Sequence, residues 1–185
     1  MRRADQMRPD ETLIGGHERR PIEIVEYNPQ WPKVFQEHAT RIAQSLGDTA
    51  ICIEHIGSTS VPGLAAKPII DILVVVRDSA DEDSFVPALE ALGYRLRVRE
   101  PDFHEHRMLR PPNREVHIHV FSAGSPEIDR YLTFRDRLRS DTEDRRLYEQ
   151  TKRDLARREW ADVNDYADAK TDVIEAIIGR GVSES

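Results

Sequence analysis

Stretches of alternating or continuous apolar residues predict six strands in this chain. The predicted strands cover residues 22–27, 50–56, 69–76, 94–100, 103–109 and 115–122. The stretch 69–76 is apolar except for Asp71, which is typical of a strand that is buried on both faces. An ionised Asp71 is costly there unless a cation or hydrogen-bond donors contact it, so the sequence predicts a partner for this carboxylate.

Apolar residues at helical spacing predict five helices, three of them in succession at the end of the chain. The predicted helices cover residues 29–46, 81–93, 127–139, 142–160 and 163–179. Trp31 and His38 fall on the apolar stripe of the first helix, so we interpret them as core residues rather than ligands. Asp141 and Asp162 are expected to cap the last two helices. This order predicts an α+β fold with a mixed sheet, flanking helices and a helical C-terminal part over 127–180.

Length and charge narrow the class of protein. The 185 residues suffice for one domain with a substantial core, and we expect this domain to cover residues 21–181. Residues 1–20 mix opposite charges without periodicity and are predicted to form a flexible arm. A formal net charge of -7 argues against broad binding to nucleic acid or anionic membranes, because both require a basic surface.

The sequence shows neither an apolar run long enough for a membrane span nor the apolar core of a secretion signal. Cys52 is the single cysteine, so no intramolecular disulfide can form, and its apolar neighbours indicate core packing. We therefore expect a cytoplasmic protein that does not associate with membranes.

A hydroxyl-rich turn precedes the strand that carries Asp71. Its residues are Gly57, Ser58, Thr59 and Ser60. Backbone N–H groups and hydroxyls in such a turn suit phosphate, although Lys67 is too distant from it and precedes a proline, which excludes a P-loop. A phosphate-binding turn beside a metal-binding carboxylate indicates a nucleotide site. The neighbouring Glu54 and His55 are interpreted as orienting residues.

Histidines at strand spacing form a second candidate site. The period of two over residues 115–122 places Glu115, His117 and His119 on one face and apolar residues on the other. The preceding predicted strand places His104 and His106 on one face, so a hairpin could gather four imidazoles around a transition metal. Charged residues flank His104 and His106, and for these two we favour a hydrated sheet face. For His117 and His119, metal ligation and a hydrated face both stay open.

The predicted C-terminal helices carry basic and phenolic residues four positions apart. These pairs are Arg135 with Arg139, Tyr148 with Lys152, and Tyr166 with Lys170. Each pair shares a helix face and could offer donors to a polyphosphate. Ordinary surface stabilisation explains the pairs unless that side of the helices faces Ser58 and Asp71.

The segment 54–71, the His117-Ile118-His119 strand, the segment 134–139 and the two Tyr/Lys pairs resemble the GrpB family over about residues 22–178. The resemblance implies the nucleotidyltransferase fold of the polymerase-beta type, and a similar domain is fused to some bacterial dephospho-CoA kinases. Active nucleotidyltransferases have a Gly-Ser turn, two carboxylates two residues apart on the next strand and a third on a neighbouring strand, which together hold two divalent ions.

In this comparison Gly57 and Ser58 match the turn and Asp71 matches the first carboxylate, whereas Leu73 stands at the second position. The third position falls on the strand from Glu115 to His119, where an imidazole or Glu115 would take the place of that carboxylate. The sequence therefore supports a one-metal site of Asp71 with His117 or His119, or a nucleotide pocket without catalysis.

These features support three functions. The first is a metal-dependent nucleotidyltransferase, or a related phosphoryl-group transferase, that uses a nucleoside triphosphate and an unidentified acceptor. Asp71 would bind Mg or Mn, or Zn or Ni, with His117 and His119, and His119 could instead be the general base. Phosphate would contact the turn and a set of basic and phenolic residues. That set is Lys67, Arg135, Arg139, Tyr148, Lys152 and Lys170.

The second function is a noncatalytic module that binds a nucleotide, another phosphorylated small molecule or a protein partner. Leu73 favours it, because the second carboxylate is missing. The third is a metalloenzyme of different chemistry centred on the histidines.

Overall fold

The computed structural model describes residues 13, 14, 16 and 21–182, and within them the chain forms five strands and six α-helices. The strands are β1 (Cys52–Ile56), β2 (Ile70–Val76), β3 (Arg95–Glu100), β4 (His106–Arg110) and β5 (Val116–Ser122). The α-helices are α1 (Trp31–Leu46), α2 (Val86–Ala91), α3 (Pro126–Ser140), α4 (Thr142–Ala156), α5 (Val163–Asp168) and α6 (Thr171–Val182). Short 3₁₀ turns cover Gly47–Thr49, Ser58–Ser60 and Glu82–Ser84.

The strands form one mixed sheet in the order β1-β2-β5-β4-β3. The pair β2 and β5 is parallel, whereas the other neighbouring pairs are antiparallel. In the parallel register Asp71 pairs with His117, and Leu73 pairs with His119. Because side chains alternate between the faces of a strand, these four residues lie on one face of the sheet. The predicted α+β fold with a mixed sheet is confirmed.

Helices cover both faces of the sheet. Ile72 and Ile118 belong to the core beneath α1 and α2, which also contains Trp31 as predicted. On the opposite face Leu73 and Phe121 pack against residues of α3. The interior strand β2 is therefore buried on both sides, as its apolar sequence predicts.

The C-terminal helices have a core of their own. Val61 and Leu64, from the connection between β1 and β2, pack against apolar residues of three helices. Those residues are Phe134, Leu138, Tyr148, Ile174, Ile177 and Ile178. The side chains of Asp141 and Asp162 accept backbone N–H bonds at the starts of α4 and α5, which confirms both predicted caps. No helix in the described part of the chain has the length and apolar character that a membrane span requires.

Two predicted elements in the first half of the chain are shorter in the structure. The predicted strand 22–27 is reduced to one antiparallel bridge, between Val25 and Ala66, because this segment pairs with the β1–β2 connection instead of the sheet. The predicted helix 81–93 begins with the 3₁₀ turn Glu82–Ser84, and its α-helical part is α2, which has a proline in its first turn.

Two predicted elements in the second half are also corrected. The predicted strand 103–109 starts at His106, because His104 and Glu105 adopt positive φ angles of 52° and 53° in a turn. The predicted helix 163–179 is two helices, α5 and α6, interrupted at Ala169 and Lys170.

The N-terminal segment is described only in part. Leu13 is buried against Val98 and Met108, and the Ile14 N–H donates a 2.9 Å hydrogen bond to the Arg97 carbonyl. The remainder of the predicted arm, residues 1–12, 15 and 17–20, lies outside the described residues.

Candidate functional site

A cavity of about 310 Å³ lies between one face of the sheet and the C-terminal helices. The turn contributes Gly57 and Ser58, the sheet contributes Asp71, and the helical side contributes tyrosines and lysines. The other polar residues that line it include Lys67, His106, His117, His119, Tyr148, Lys152, Tyr166 and Lys170. The structure thus brings the predicted turn, carboxylate, histidines and Tyr/Lys pairs to one place.

The turn uses two of its three hydroxyls for its own structure. The Ser60 hydroxyl donates a 2.6 Å hydrogen bond to the Gly57 carbonyl, and the Thr59 hydroxyl donates a 3.1 Å bond to the Ile69 carbonyl. His55 Nε2 lies 3.0 Å from Thr59 Oγ1, in agreement with its predicted orienting role. Of the predicted phosphate-binding hydroxyls, Ser58 is therefore the one we retain, and Thr59 and Ser60 position the turn.

Gly57 lies unusually close to Asp71. Its φ of 69° and ψ of -175° belong to a region that is essentially restricted to glycine. A Cβ atom at this position would lie 2.4 Å from Asp71 Oδ2. The predicted turn glycine therefore has two functions, since it allows the backbone conformation and leaves room for the carboxylate.

Asp71, His117 and His119 form a cluster with ligand atoms within 4.8 Å of one another. Asp71 Oδ1 lies 3.6 Å from His117 Nδ1 and 3.5 Å from His119 Nε2. Burial alone would raise the pKa of Asp71, but the neighbouring His119 and His117 imidazoles and the Lys67 ammonium hold it below its usual value. Burial lowers the pKa of His117 to about 4, so this imidazole is neutral at pH 7.

The donor set of this triad fits a divalent metal ion. Two imidazoles and one carboxylate are ligands that zinc and other transition ions accept, and the separations of 3.5 and 3.6 Å exceed normal hydrogen bonds. His117 Nε2 is also buried and has no hydrogen-bond partner among the described residues. The triad therefore has space to hold an ion.

Lysines and tyrosines line the helical side of the cavity. Lys152 is 2% exposed, and its Nζ donates to the Ser58 hydroxyl at 3.0 Å and to the Ala65 carbonyl. Lys170 Nζ lies 4.6 Å from the centre of the Tyr166 ring, and Lys67 Nζ lies 5.2 Å from the same ring. The predicted pairing of Tyr166 with Lys170 is thus retained, although Lys170 follows the end of α5.

Lys67, Lys152 and Lys170 form a lysine cluster, and burial lowers the pKa of two of its members. Desolvation is the main cause that lowers the pKa of both Lys152 and Lys170 to about 7. Lys170 lowers the pKa of Lys152 further, and Lys67 lowers that of Lys170, because like charges repel. The buried Tyr166 hydroxyl has no hydrogen-bond partner in the described residues. These groups would be stabilised by an anion that enters the cavity.

The two predicted arginine clamps bind the end of β1 and the turn that follows it, from outside the cavity. Arg135 Nη1 donates a 2.7 Å bond to Glu54 and a 3.3 Å bond to the His55 carbonyl. Arg139 donates 3.1 and 2.9 Å bonds to the Ser60 carbonyl through Nε and Nη2. Neither arginine lines the cavity, so we assign them to positioning of the turn rather than to direct phosphate contact.

The structure separates His104 from His106. His104 is exposed, as predicted, but it is not on a strand, whereas the prediction of a hydrated His106 is wrong. His104 lies in the turn before β4 and does not line the cavity, so four imidazoles do not converge. His106 is buried rather than hydrated, and its Nε2 lies 3.1 Å from His119 Nδ1. Its Nδ1 lies 2.8 Å from Glu100, a residue that the sequence analysis overlooked. The short Pro101-Asp102 turn between Glu100 and His106 is the signal that could have indicated this pairing.

Comparisons with known proteins agree with this architecture. Residues 21–180 match the GrpB protein family. A UPF0157 protein of Halalkalibacterium halodurans is 55% identical over 159 residues, which cover 86% of this chain and 82% of the relative. A UPF0157 protein of Streptomyces coelicolor is 51% identical over 176 residues, which cover 94% and 92% of the two chains. A dephospho-CoA kinase of Mycolicibacterium paratuberculosis is 30% identical over 178 residues, which cover 82% of this chain and 44% of the kinase.

A solved structure is similar over nearly the whole fold. The crystal structure of GrpB from Enterococcus faecalis has a TM-score of 0.78 and 34% sequence identity, and the match covers 88% of this chain and 98% of that one. The two chains therefore share the α+β fold with one mixed sheet that is described above. On both the sequence and the structural match, this chain belongs to the GrpB family.

Proposed function

We propose that this protein is a metal-dependent nucleotidyltransferase that binds a nucleoside triphosphate in the cavity between its sheet and its C-terminal helices. The observation that carries the proposal is the joint lining of one cavity by a carboxylate–imidazole triad and a buried lysine cluster. A triphosphate with a bound metal needs both cationic donors and metal ligands, and it is large enough to contact the two together.

The lysine cluster is the phosphate side of the proposed site. With their pKa values near 7, Lys152 and Lys170 are partly neutral when the cavity holds no anion. A bound triphosphate raises both pKa values and gives the buried ammonium groups the counter-charge that they lack. In the transfer step an acceptor hydroxyl releases its proton to solvent, its oxygen bonds to the α-phosphorus and the bond to pyrophosphate breaks. The lysines stabilise the negative charge on the leaving pyrophosphate.

The triad is the metal side of the proposed site. Asp71, His117 and His119 would hold one divalent ion, and two imidazoles among three ligands favour manganese or zinc over magnesium. The ion would act as a Lewis acid on a phosphoryl oxygen. Asp71 contributes the one negative charge of the triad, and Gly57 keeps the space in which its carboxylate lies.

Calorimetric titration of a nucleoside triphosphate with and without manganese tests the proposal. We expect binding that requires metal in the wild type, loss of the metal requirement and of most affinity in Asp71→Asn, and weaker binding in Lys152→Met. The exposed Asp83→Asn and Lys33→Met are matched controls that should bind as the wild type does. Identical titrations for wild type and Asp71→Asn would refute the site assignment.

A noncatalytic nucleotide-binding module is the second candidate, and Leu73 is the observation that favours it. Leu73 is 0% exposed and packs in the core, so the position of the second catalytic carboxylate is apolar. Pyrophosphate release distinguishes the candidates. An enzyme should release it from a nucleoside triphosphate when manganese and a small-molecule extract that supplies acceptors are present, whereas a binding module should bind the nucleotide without release.

A further inference from the structure

A chain of hydrogen-bonding groups extends from His119 away from Asp71. His119 Nδ1 lies 3.1 Å from His106 Nε2, and His106 Nδ1 lies 2.8 Å from Glu100 Oε2. The sheet register creates this chain, because Glu100 pairs with His106 between β3 and β4 and Met108 pairs with His119 between β4 and β5. Glu100, His106 and His119 therefore lie side by side on the face that lines the cavity.

Each group in this chain determines the hydrogen position of the next one. An ionised carboxylate can only accept hydrogen bonds, so Glu100 places the hydrogen of a neutral His106 on Nδ1. His106 Nε2 then has a lone pair and accepts, which requires the hydrogen of a neutral His119 to be on Nδ1. The remaining nitrogen of His119, Nε2, is left with a lone pair.

That lone pair faces the carboxylate of the triad. His119 Nε2 lies 3.5 Å from Asp71 Oδ1, which is longer than an ordinary N–H···O hydrogen bond. Two lone pairs that face each other at this distance repel unless a cation lies between them. The opposite tautomer would place a hydrogen on Nε2, where it would bond to Asp71 and prevent His119 from ligating metal.

We propose that Glu100 and His106 are positioning residues that hold His119 in the Nδ1–H tautomer, so that its Nε2 is available to a metal ion. The metal part of this inference rests on the proposed function, whereas the tautomer does not. A carboxylate or carbonyl behind a ligating histidine commonly has this effect, and here a second imidazole transmits it.

The surroundings of His106 support a positioning role. Its ring stacks on Phe121 with ring centres 4.7 Å apart, and Phe103 contacts its edge. Glu100 is 5% exposed and His106 is 7% exposed, so water does not replace either contact. An apolar pair of similar size could fill the same space without the cost of burying a carboxylate, which indicates that the polar pair serves the site rather than the fold.

Nitrogen NMR of the metal-free full chain with ¹⁵N-labelled histidines tests the tautomer directly. Long-range couplings between ring nitrogens and carbon-bound protons identify which nitrogen carries the hydrogen. We expect Nδ1–H for both His106 and His119 at pH 7. A hydrogen on His119 Nε2 in the wild type would overturn the inference, whatever the protein binds.

The double variant Glu100→Leu/His106→Phe tests the consequence, because it removes both polar groups and keeps apolar bulk in the same space. We expect His119 to lose its preference for Nδ1–H and manganese affinity to fall on the order of 10- to 100-fold. His104→Asn is the control, since His104 does not line the cavity and asparagine tolerates its positive φ.

The outcomes separate the two proposals. If the folded double variant, checked by circular dichroism, keeps the wild-type tautomer and manganese affinity, the positioning role is refuted. If the wild type has the expected tautomer but binds no manganese, the metal site of the proposed function fails while the tautomer assignment stands.

Discussion

Replacement of Gly57 by alanine is expected to disable the site by displacing Asp71. The new Cβ would lie 2.4 Å from Asp71 Oδ2, and ordinary contact begins at 3.4 Å, so the carboxylate has to retreat by about 1 Å. The Asp71 Cβ, 3.0 Å away, belongs to a central strand and restricts this movement. Misplacement of a functional group by about 1 Å typically costs on the order of 100-fold in activity. We expect a loss of that size in manganese affinity.

Gly63→Ala separates this clash from the effect of backbone conformation. Gly63 also has a positive φ, of 78°, but a Cβ there would meet no atom within 4 Å. Both variants should lose free energy of unfolding, on the order of 1–3 kcal/mol, because alanine disfavours positive φ. Calorimetry with manganese should then show weakened binding in Gly57→Ala alone. Equal affinities in the two variants would refute the argument that Gly57 makes room for the metal-binding carboxylate.

Three further predictions concern pH and stability, each measured by urea unfolding. Burial lowers the pKa of Lys152 to about 7, whereas the unfolded side chain titrates near 10.5. Between these pH values the unfolded state binds more protons than the folded state, so the free energy of unfolding should rise with pH. Lys152 should contribute up to about 1.4 kcal/mol per pH unit to this rise. Lys152→Met should reduce the slope, and an unchanged slope would contradict the assignment. Asp144→Ala should cost about 3 kcal/mol, because Asp144 is buried and joins Arg137 of α3 to Arg180 of α6. Asp162→Ala should cost about 1 kcal/mol through loss of the α5 cap, and a change near zero would argue against that cap.

The sequence predicted the features of the site that depend on local pattern. The alternation in β5 placed His117 and His119 on one face, and the apolar run of β2 identified Asp71 as exceptional. Asp141 and Asp162 were predicted as caps because a cap is determined by the few residues that follow it. In each case the signal lies within one element or its boundary.

Features that depend on contacts between distant segments were not predicted. The strand with His106 starts later than expected because of a left-handed turn, and its pairing with β3 and β5 buries a histidine that looked hydrated. Arg135 and Arg139 were assigned to phosphate, but Arg135 binds the end of β1 and Arg139 binds the turn, each about 80 residues away in sequence. Periodicity identifies which residues share a face of one element, but not what that face meets.

The packing of Val61 and Leu64 has a consequence for ligand entry. These two side chains anchor the segment that follows Ser58 within the apolar core of the helices, while Gly57 lies so close to the Asp71 carboxylate of the sheet that a side chain there would clash with it. The loop that would receive phosphate is therefore immobilised from both sides before any ligand arrives. The conformational entropy of this loop is lost when the protein folds. Binding of a nucleotide would therefore not have to order the loop.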